Sequence, residues 1–324
     1  MSAVLALVLS LAYSPVRAAD EPLDALKLVT SSQPLLTTVE PGTTTTVQVK
    51  LRNGANHPEN LQVEVLKFSS DGVTGKPNIA AFLPQDTWKE WLVLPQKTFT
   101  VAADATIDVP VELRIPKDAA FSYDYALAFS RAVSSTSKGD TRINGAIASL
   151  LMVDVSAPNA RRELALSDFT TDKKAFTTLP VEFSVKLANT GTTHAIPTGS
   201  ILLEKGGKQI AILPVNAEVG SVLPDSSRTF SVTWEDGFPV RQKDGHYKWD
   251  ISKLATLRGG KYTASLVVAY DAGGQDKTLE KVLTFWVIPW PLYLAILVIL
   301  ALIGTGIWTA VRGIRQARKR YRKK

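Results

Sequence analysis

The chain has 324 residues, 45% hydrophobic and 21% charged, with 37 Lys and Arg, 30 Asp and Glu and no cysteine. The length allows two domains at roughly 150 residues each, and the missing cysteines exclude disulfide staples, thiol catalysis and thiolate metal sites. The formal charge of +7 lies at one end: eight basic residues and no acid occupy 312–324, and setting these and Arg17 aside leaves 28 bases against 30 acids, a net −2. That balance leaves no footprint for a nucleic-acid backbone, and the natural partner of the basic block is anionic lipid.

In chain order, the first element is an apolar run, Ala3 to Tyr13, followed by Ser14-Pro15 and Val16-Arg17-Ala18. Its length and the small residues behind it resemble a secretion signal, so residues 1–19 are predicted to be a signal peptide, although no Lys or Arg precedes the run.

From there apolar residues alternate with polar ones, as in Val47-Gln48-Val49-Lys50-Leu51 and Leu61-Gln62-Val63-Glu64-Val65-Leu66. A period of two is that of half-buried strands. The pattern returns at Val109–Ile115, Tyr125–Val133 and Ile147–Val155. A second series covers Val181–Leu187, Ile201–Glu204, Gln209–Leu213, Thr229–Trp234, Tyr262–Tyr270 and Thr278–Val287. Short strands without helical stretches between them argue for sandwiches and against alternating strand–helix units. Between the two series, Ser156–Glu163 is polar and broken by Pro158, which marks a boundary. The halves echo one another: Val49-Lys50-Leu51-Arg52-Asn53-Gly54 resembles Val185-Lys186-Leu187-Ala188-Asn189-Thr190-Gly191, each a strand ending in Asn with Gly close behind. Asn and Gly tolerate positive φ, so a turn is predicted there in both. Ser69–Gln85, rich in Gly and Pro, reads as a long irregular excursion, and a loop of that length is usually functional.

Ile288–Val311 contains 24 residues without a charge. As a helix at 1.5 Å per residue it spans a hydrocarbon layer of about 30 Å. Trp286, Trp290 and Tyr293 gather at one end and Trp308 at the other, where amphipathic rings favour the membrane interfaces. Arg312 and Arg315 are the first cations beyond, and they predict a cytoplasmic C-terminus. The predicted fold is therefore all-β: two β-sandwich domains in tandem, 20–158 and 159–287, then one transmembrane helix, 288–311, and a basic cytoplasmic tail, 312–324.

Motifs of hydrolases, metalloproteases and nucleotide-binding loops do not occur. His57, His194 and His246 each stand beside turn residues and are expected on surface loops. Asp271–Glu280 lacks the ligand order of a calcium loop and reads as a hairpin turn. The chain is expected to have no enzymatic activity and no cofactor, although a carboxylate pair for glycoside hydrolysis is a matter of geometry that spacing does not decide.

The layout resembles the WxL-interacting protein family of bacteria. In the first domain the resemblance is carried by Pro41-Gly42 opening a strand to Asn53, by Asp71-Gly72, by Leu94-Pro95 and by Arg114-Ile115-Pro116-Lys117-Asp118-Ala119. It implies two Ig-like domains, the first similar to one assigned to peptidoglycan and the second to one assigned to partner proteins. After Ala119 the family pattern has a Gly-rich turn where this chain has Phe121-Ser122-Tyr123-Asp124-Tyr125. The expected partners are thus membrane lipid, through the helix and tail, and peptidoglycan or another surface protein, with a passive spacer or a subunit of an envelope complex as the alternative. Trp88, Trp91, Tyr123 and Tyr125 are the predicted ligand-binding residues, since flat aromatic faces stack on sugars or anchor a protein.

Overall fold

A computed structural model describes residues 26–132, 145–238, 240–242, 244–248, 250 and 257–321. The predicted signal peptide lies outside the described residues. Among the described residues, two antiparallel-rich β-sandwiches follow one another and lead into a single α-helix.

In the first half the strands are β1 (Leu28–Thr30), β2 (Leu35–Val39), β3 (Thr44–Asn53), β4 (Glu59–Ser70), β5 (Pro77–Ala80), β6 (Leu92–Val93), β7 (Thr98–Val101), β8 (Thr106–Arg114), β9 (Phe121–Arg131) and β10 (Ala146–Val155), with a short 3₁₀ turn at Thr87–Trp91. One sheet runs β1-β3-β8-β6. The other runs β2-β10-β9-β4, with β5 and β7 both on β4. The second half has β11 (Leu164–Thr171), β12 (Ala175–Phe176), β13 (Val181–Asn189), β14 (Thr198–Lys205), β15 (Lys208–Val215), β16 (Ser227–Trp234), β17 (Val240–Arg241), β18 (Tyr247–Lys248), β19 (Gly260–Asp271) and β20 (Asp276–Val287). Its sheets are β11-β13-β16 and β12-β20-β19-β14-β15, and β17 and β18 form a separate ribbon.

The two halves share one plan. In each, the first strand pairs antiparallel with the strand that ends in Asn, and a later short strand crosses to the other sheet and runs parallel to the last strand, β2 with β10 and β12 with β20. The alternation seen in the sequence is the inward–outward alternation of these strands. Val181, Phe183, Val185 and Leu187 of β13 are buried, with Glu182 and Lys186 outside. In the second core Tyr262 and Phe285 stack at 5.6 Å, with Trp234 edge-on to Tyr262 at 5.1 Å. Each such side chain contributes about 1.5–3 kcal/mol by leaving water.

The echoed asparagines do something other than was expected. Neither Asn53 nor Asn189 has positive φ. Both are buried and bridge chain segments with their amides: Asn53 Nδ2 donates to the carbonyls of His57, Val101 and Ala102 while its Oδ1 accepts from Ala55 N, and Asn189 Nδ2 donates to Thr193 and Val222 while its Oδ1 accepts from Gly191 N. The irregular reading of Ser69–Gln85 is also corrected. Ser69 and Ser70 complete β4, and β5 returns along it after a turn in which the Asp71 carboxylate accepts the amides of Val73, Thr74 and Gly75 and the Thr74 hydroxyl. The Thr74 hydroxyl foremost, opposed by desolvation and aided by the three amides, lowers the Asp71 pKa to about 2.

The helix α1 covers Trp290–Tyr321. It starts two residues later than the apolar run, after Ile288, whose N–H still donates to Phe176 O at 2.7 Å, and Pro289. It also runs past Val311 into the basic block, where Arg, Gln, Ala and Lys are strong helix formers. Its stretch Trp290–Arg315 is long and apolar enough to cross a membrane.

Candidate functional site

The four predicted aromatic residues do come together, but they are largely spent on one another. Tyr123 and Tyr125 point from β9 to the same side as the first core. Tyr125 is completely buried, its hydroxyl donating to Trp88 O at 2.8 Å. Tyr125 therefore cannot meet a ligand, which corrects that assignment: a tyrosine opening an apolar strand faces inward, and burial, with Tyr123 close by, raises its pKa far above the usual phenol range. Trp88 lies edge-on to Tyr125 at 4.8 Å and to Phe82 at 4.7 Å, and Trp91 edge-on to Tyr123 at 4.5 Å. Trp88, Trp91 and Tyr123 are half-buried and close one flank of the sandwich. At the other end of the molecule Trp286, Trp290, Tyr293 and Trp308 are all exposed, and the Arg312 guanidinium stands 5.2 Å over the Trp308 ring. Arg315 is exposed as well.

The best-built polar site joins the two sandwiches. It begins with β10, whose run Leu150-Leu151-Met152-Val153-Asp154-Val155 is nearly continuous in apolar residues. Strands covered on both faces read this way. Leu151, Val153 and Val155 enter the first core, whereas Leu150 and Met152 form, with Phe68, Ala126, Leu36 and Leu66, an apolar patch on the outer face that meets Leu223 of the second half. Asp154 shares that outer face and is buried, as is Asp124 in large part on neighbouring β9.

His194, expected on a surface loop, is instead buried between these two carboxylates. Its Nδ1 lies 2.6 Å from Asp154 Oδ1 and its Nε2 2.8 Å from Asp124 Oδ1, and its backbone N–H also donates to Asp154. The turn residues around His194 are present, but the loop is covered by the other sandwich. Ser122 Oγ donates to Asp154 and to Thr192 O. Arg162, from the segment between the halves, donates to His194 O at 2.8 Å and to Asp271 at 2.7 Å, and its second amino nitrogen is 3.5 Å from Asp154. Burial alone would push the imidazole down in pKa, but the hydrogen bonds and charges of Asp124 and Asp154 outweigh it and hold it at about 9. Burial would likewise raise the Asp154 carboxyl, and the His194 hydrogen bond and charge bring it below the usual range. The result is an imidazolium clamped by two carboxylates across the joint. These donors are consumed by each other, and no group of three His, Asp or Glu set to hold a metal exists among the described residues.

Beside the joint a cleft of about 690 Å³ opens between the halves. Its floor is apolar, with Phe68, Leu150, Met152 and Leu223, and its rim carries Gln33, Ser69, Glu218 and Arg228. The Arg228 guanidinium lies between Gly75 of the β4–β5 turn and Gly220, at neither of which a Cβ would fit without displacing it. It donates to Ser221 O at 3.0 Å and sits 5.1 Å from the Phe230 ring centre, and its Nε is buried without a partner. Three further contacts fix the walls: Thr229 N–H to Val73 O at 2.7 Å, Gln33 Nε2 to Glu218 O at 3.2 Å, and Ser221 Oγ to Met152 Sδ at 3.2 Å.

No family model matches the chain, and no curated protein is similar to it in sequence. Among solved structures, the class 5 fimbriae chaperone CfaA superimposes at a TM-score of 0.39 and 12% identity, covering 79% of this chain and 98% of its own. The CupB2 chaperone of Pseudomonas aeruginosa does so at 0.38 and 11%, covering 79% and 100%, and the E. coli chaperone DraB at 0.35 and 14%, covering 79% and 96%. At such identities and scores the likeness is one of β-sandwich fold and says nothing about a ligand.

Proposed function

We propose that this chain is a membrane-anchored, non-catalytic binding protein of the bacterial cell surface: α1 crosses the membrane, 312–324 lie in the cytoplasm, and the two sandwiches stand outside. Its ligand is a partner surface protein, held in the cleft between them. The observation that carries this reading is the cleft itself, with walls from both halves, an apolar floor and a polar rim, framed by domains that a buried charge network fixes in place. That mixture suits a protein segment, which needs an apolar seat and a few placed polar groups. A sugar polymer would ask for open aromatic faces, and Trp88 and Trp91 spend much of theirs on tyrosines. The family that the layout resembles pairs a wall-binding domain with a partner-binding one, and the geometry here favours the second role.

A photo-crosslinking residue placed at Gln33 or Ser69 in the native full-length protein tests it. A discrete protein adduct in intact cells is expected from both positions and not from Gln48, on the opposite side of the first sandwich. Capture of peptidoglycan fragments alone would transfer the ligand to the wall polymer. No adduct at either cleft position would leave a spacer.

A further inference from the structure

We infer that the helix-proximal end of the second sandwich rests on anionic lipid headgroups of the outer leaflet, through exposed lysines of the sheet that continues into α1. The inference rests on α1 crossing the membrane and adds a second lipid contact on the side opposite to the basic tail.

β20 passes into α1 through Ile288 and Pro289 alone, so whatever lies at that end of its sheet lies at the mouth of the helix. Gly259, just before β19, packs so closely on the Tyr293 hydroxyl that no Cβ fits there. Lys205, at the end of β14, donates its ammonium to the Gly259 carbonyl and stands 5.6 Å over the Tyr262 ring. Lys208 faces Lys205 across the Gly206-Gly207 turn, and Lys261 is the register partner of Trp286. Lys174 O accepts the Trp286 N–H at 2.9 Å. These lysines are exposed and lie at the same end of the sheet as Trp286, Trp290 and Tyr293, the rings that mark an interface.

The acids of this end are distributed unevenly. Glu182 and Glu235 belong to the other sheet, near Arg241 and Lys248, and Asp172 sits 3.8 Å from Lys173. Asp236 is held by Arg258 at 2.7 Å, and among the described residues Glu204, half-buried, is the acid that stands among the lysines at this end of the helix-bearing sheet. That surface therefore presents positive charge to the membrane plane, within a Debye length of the headgroups, where anionic phosphates attract basic side chains.

The test uses the full chain in lipid nanodiscs, either wholly zwitterionic or containing one quarter phosphatidylglycerol, with amine acylation read by mass spectrometry. Acylation of Lys174, Lys205, Lys208 and Lys261 is expected to fall several-fold in the anionic discs and to recover in high salt, whereas Lys50 on the first sandwich stays unchanged. Replacing Lys205, Lys208 and Lys261 by Gln should leave the chain in the discs and return Lys174 to its zwitterionic rate. Equal acylation in the two kinds of disc overturns the inference, and so does equal protection of Lys50, which would report general adsorption. A chain that does not copurify with discs overturns the membrane-spanning reading itself, and the lipid contact with it.

Discussion

Asn53 and Asn189 show how much a single residue can reveal in sequence and how much it withholds. Their equivalence is visible as a strand ending in Asn with Gly behind. Their task is not, because, besides a carbonyl four residues on, they serve carbonyls that arrive from a strand or loop 33 to 49 residues further along. Each buried amide satisfies groups that would otherwise be stranded away from water. Asn189→Ala leaves the Thr193 and Val222 carbonyls and the Gly191 amide without that partner, at a cost of about 2–3 kcal/mol, and is expected to lower the melting temperature by roughly 8 °C. Asn189→Asp should be worse, since a carboxylate would face two carbonyl oxygens. A thermal melt in which Asp is tolerated better than Ala would show that the amide does not bridge these segments.

Among the elements, the long alternating strands were legible and the short ones were not. β3, β4, β13 and β20 repeat the inward–outward pattern over many residues. β5, β6 and β12 have two to four residues, too few for a period of two to stand out, and Pro77 at the head of β5 reads as loop. Trp88 and Trp91 of the Thr87–Trp91 turn, expected to meet a ligand, are half-buried over the first core, and pattern alone does not distinguish a ring that caps a core from one that faces solvent. Trp88→Ala opens the flank over Tyr125 and removes two edge contacts, so it is expected to cost about 3 kcal/mol in the first domain's melt. Crosslinking from Gln33 should persist in that variant. An unchanged melt with lost crosslinking would instead make Trp88 part of the ligand site.

For the molecule as a whole, the joint was the least legible feature. His194 finds Asp154 and Asp124 at 40 and 70 residues' separation, and the one local hint was an acid interrupting the apolar run of β10. Its pH behaviour follows from the sign of the shifts. The imidazole pKa is raised from 6.5 to about 9, so its contribution is whole below about pH 6.5 and is lost as pH rises through 9. Asp154 is shifted the other way, so its contribution is present above 3.8 and is lost as pH falls through its lowered value. These are two views of one interaction. Calorimetry of the full chain in detergent is expected to show the sandwiches melting together near pH 6 and separating into two transitions towards pH 10. His194→Ala, which takes the shared cation from two largely buried carboxylates at about 3–5 kcal/mol, should separate them at every pH. A single transition across the whole range in that variant would mean that the apolar patch alone couples the halves.

The passage of β20 into α1 through two residues has a mechanical consequence. On the proposed function, a partner seated in the cleft between the sandwiches and a helix held in a bilayer would pull on the two ends of one sheet. β20 is flanked by antiparallel β19 over its whole length and by parallel β12 at its end. Tension along it therefore loads the ladder of hydrogen bonds in shear, all at once, and does not peel them one at a time. On that proposal, β20 is the strand best placed to resist extraction when the membrane and the bound partner are drawn apart.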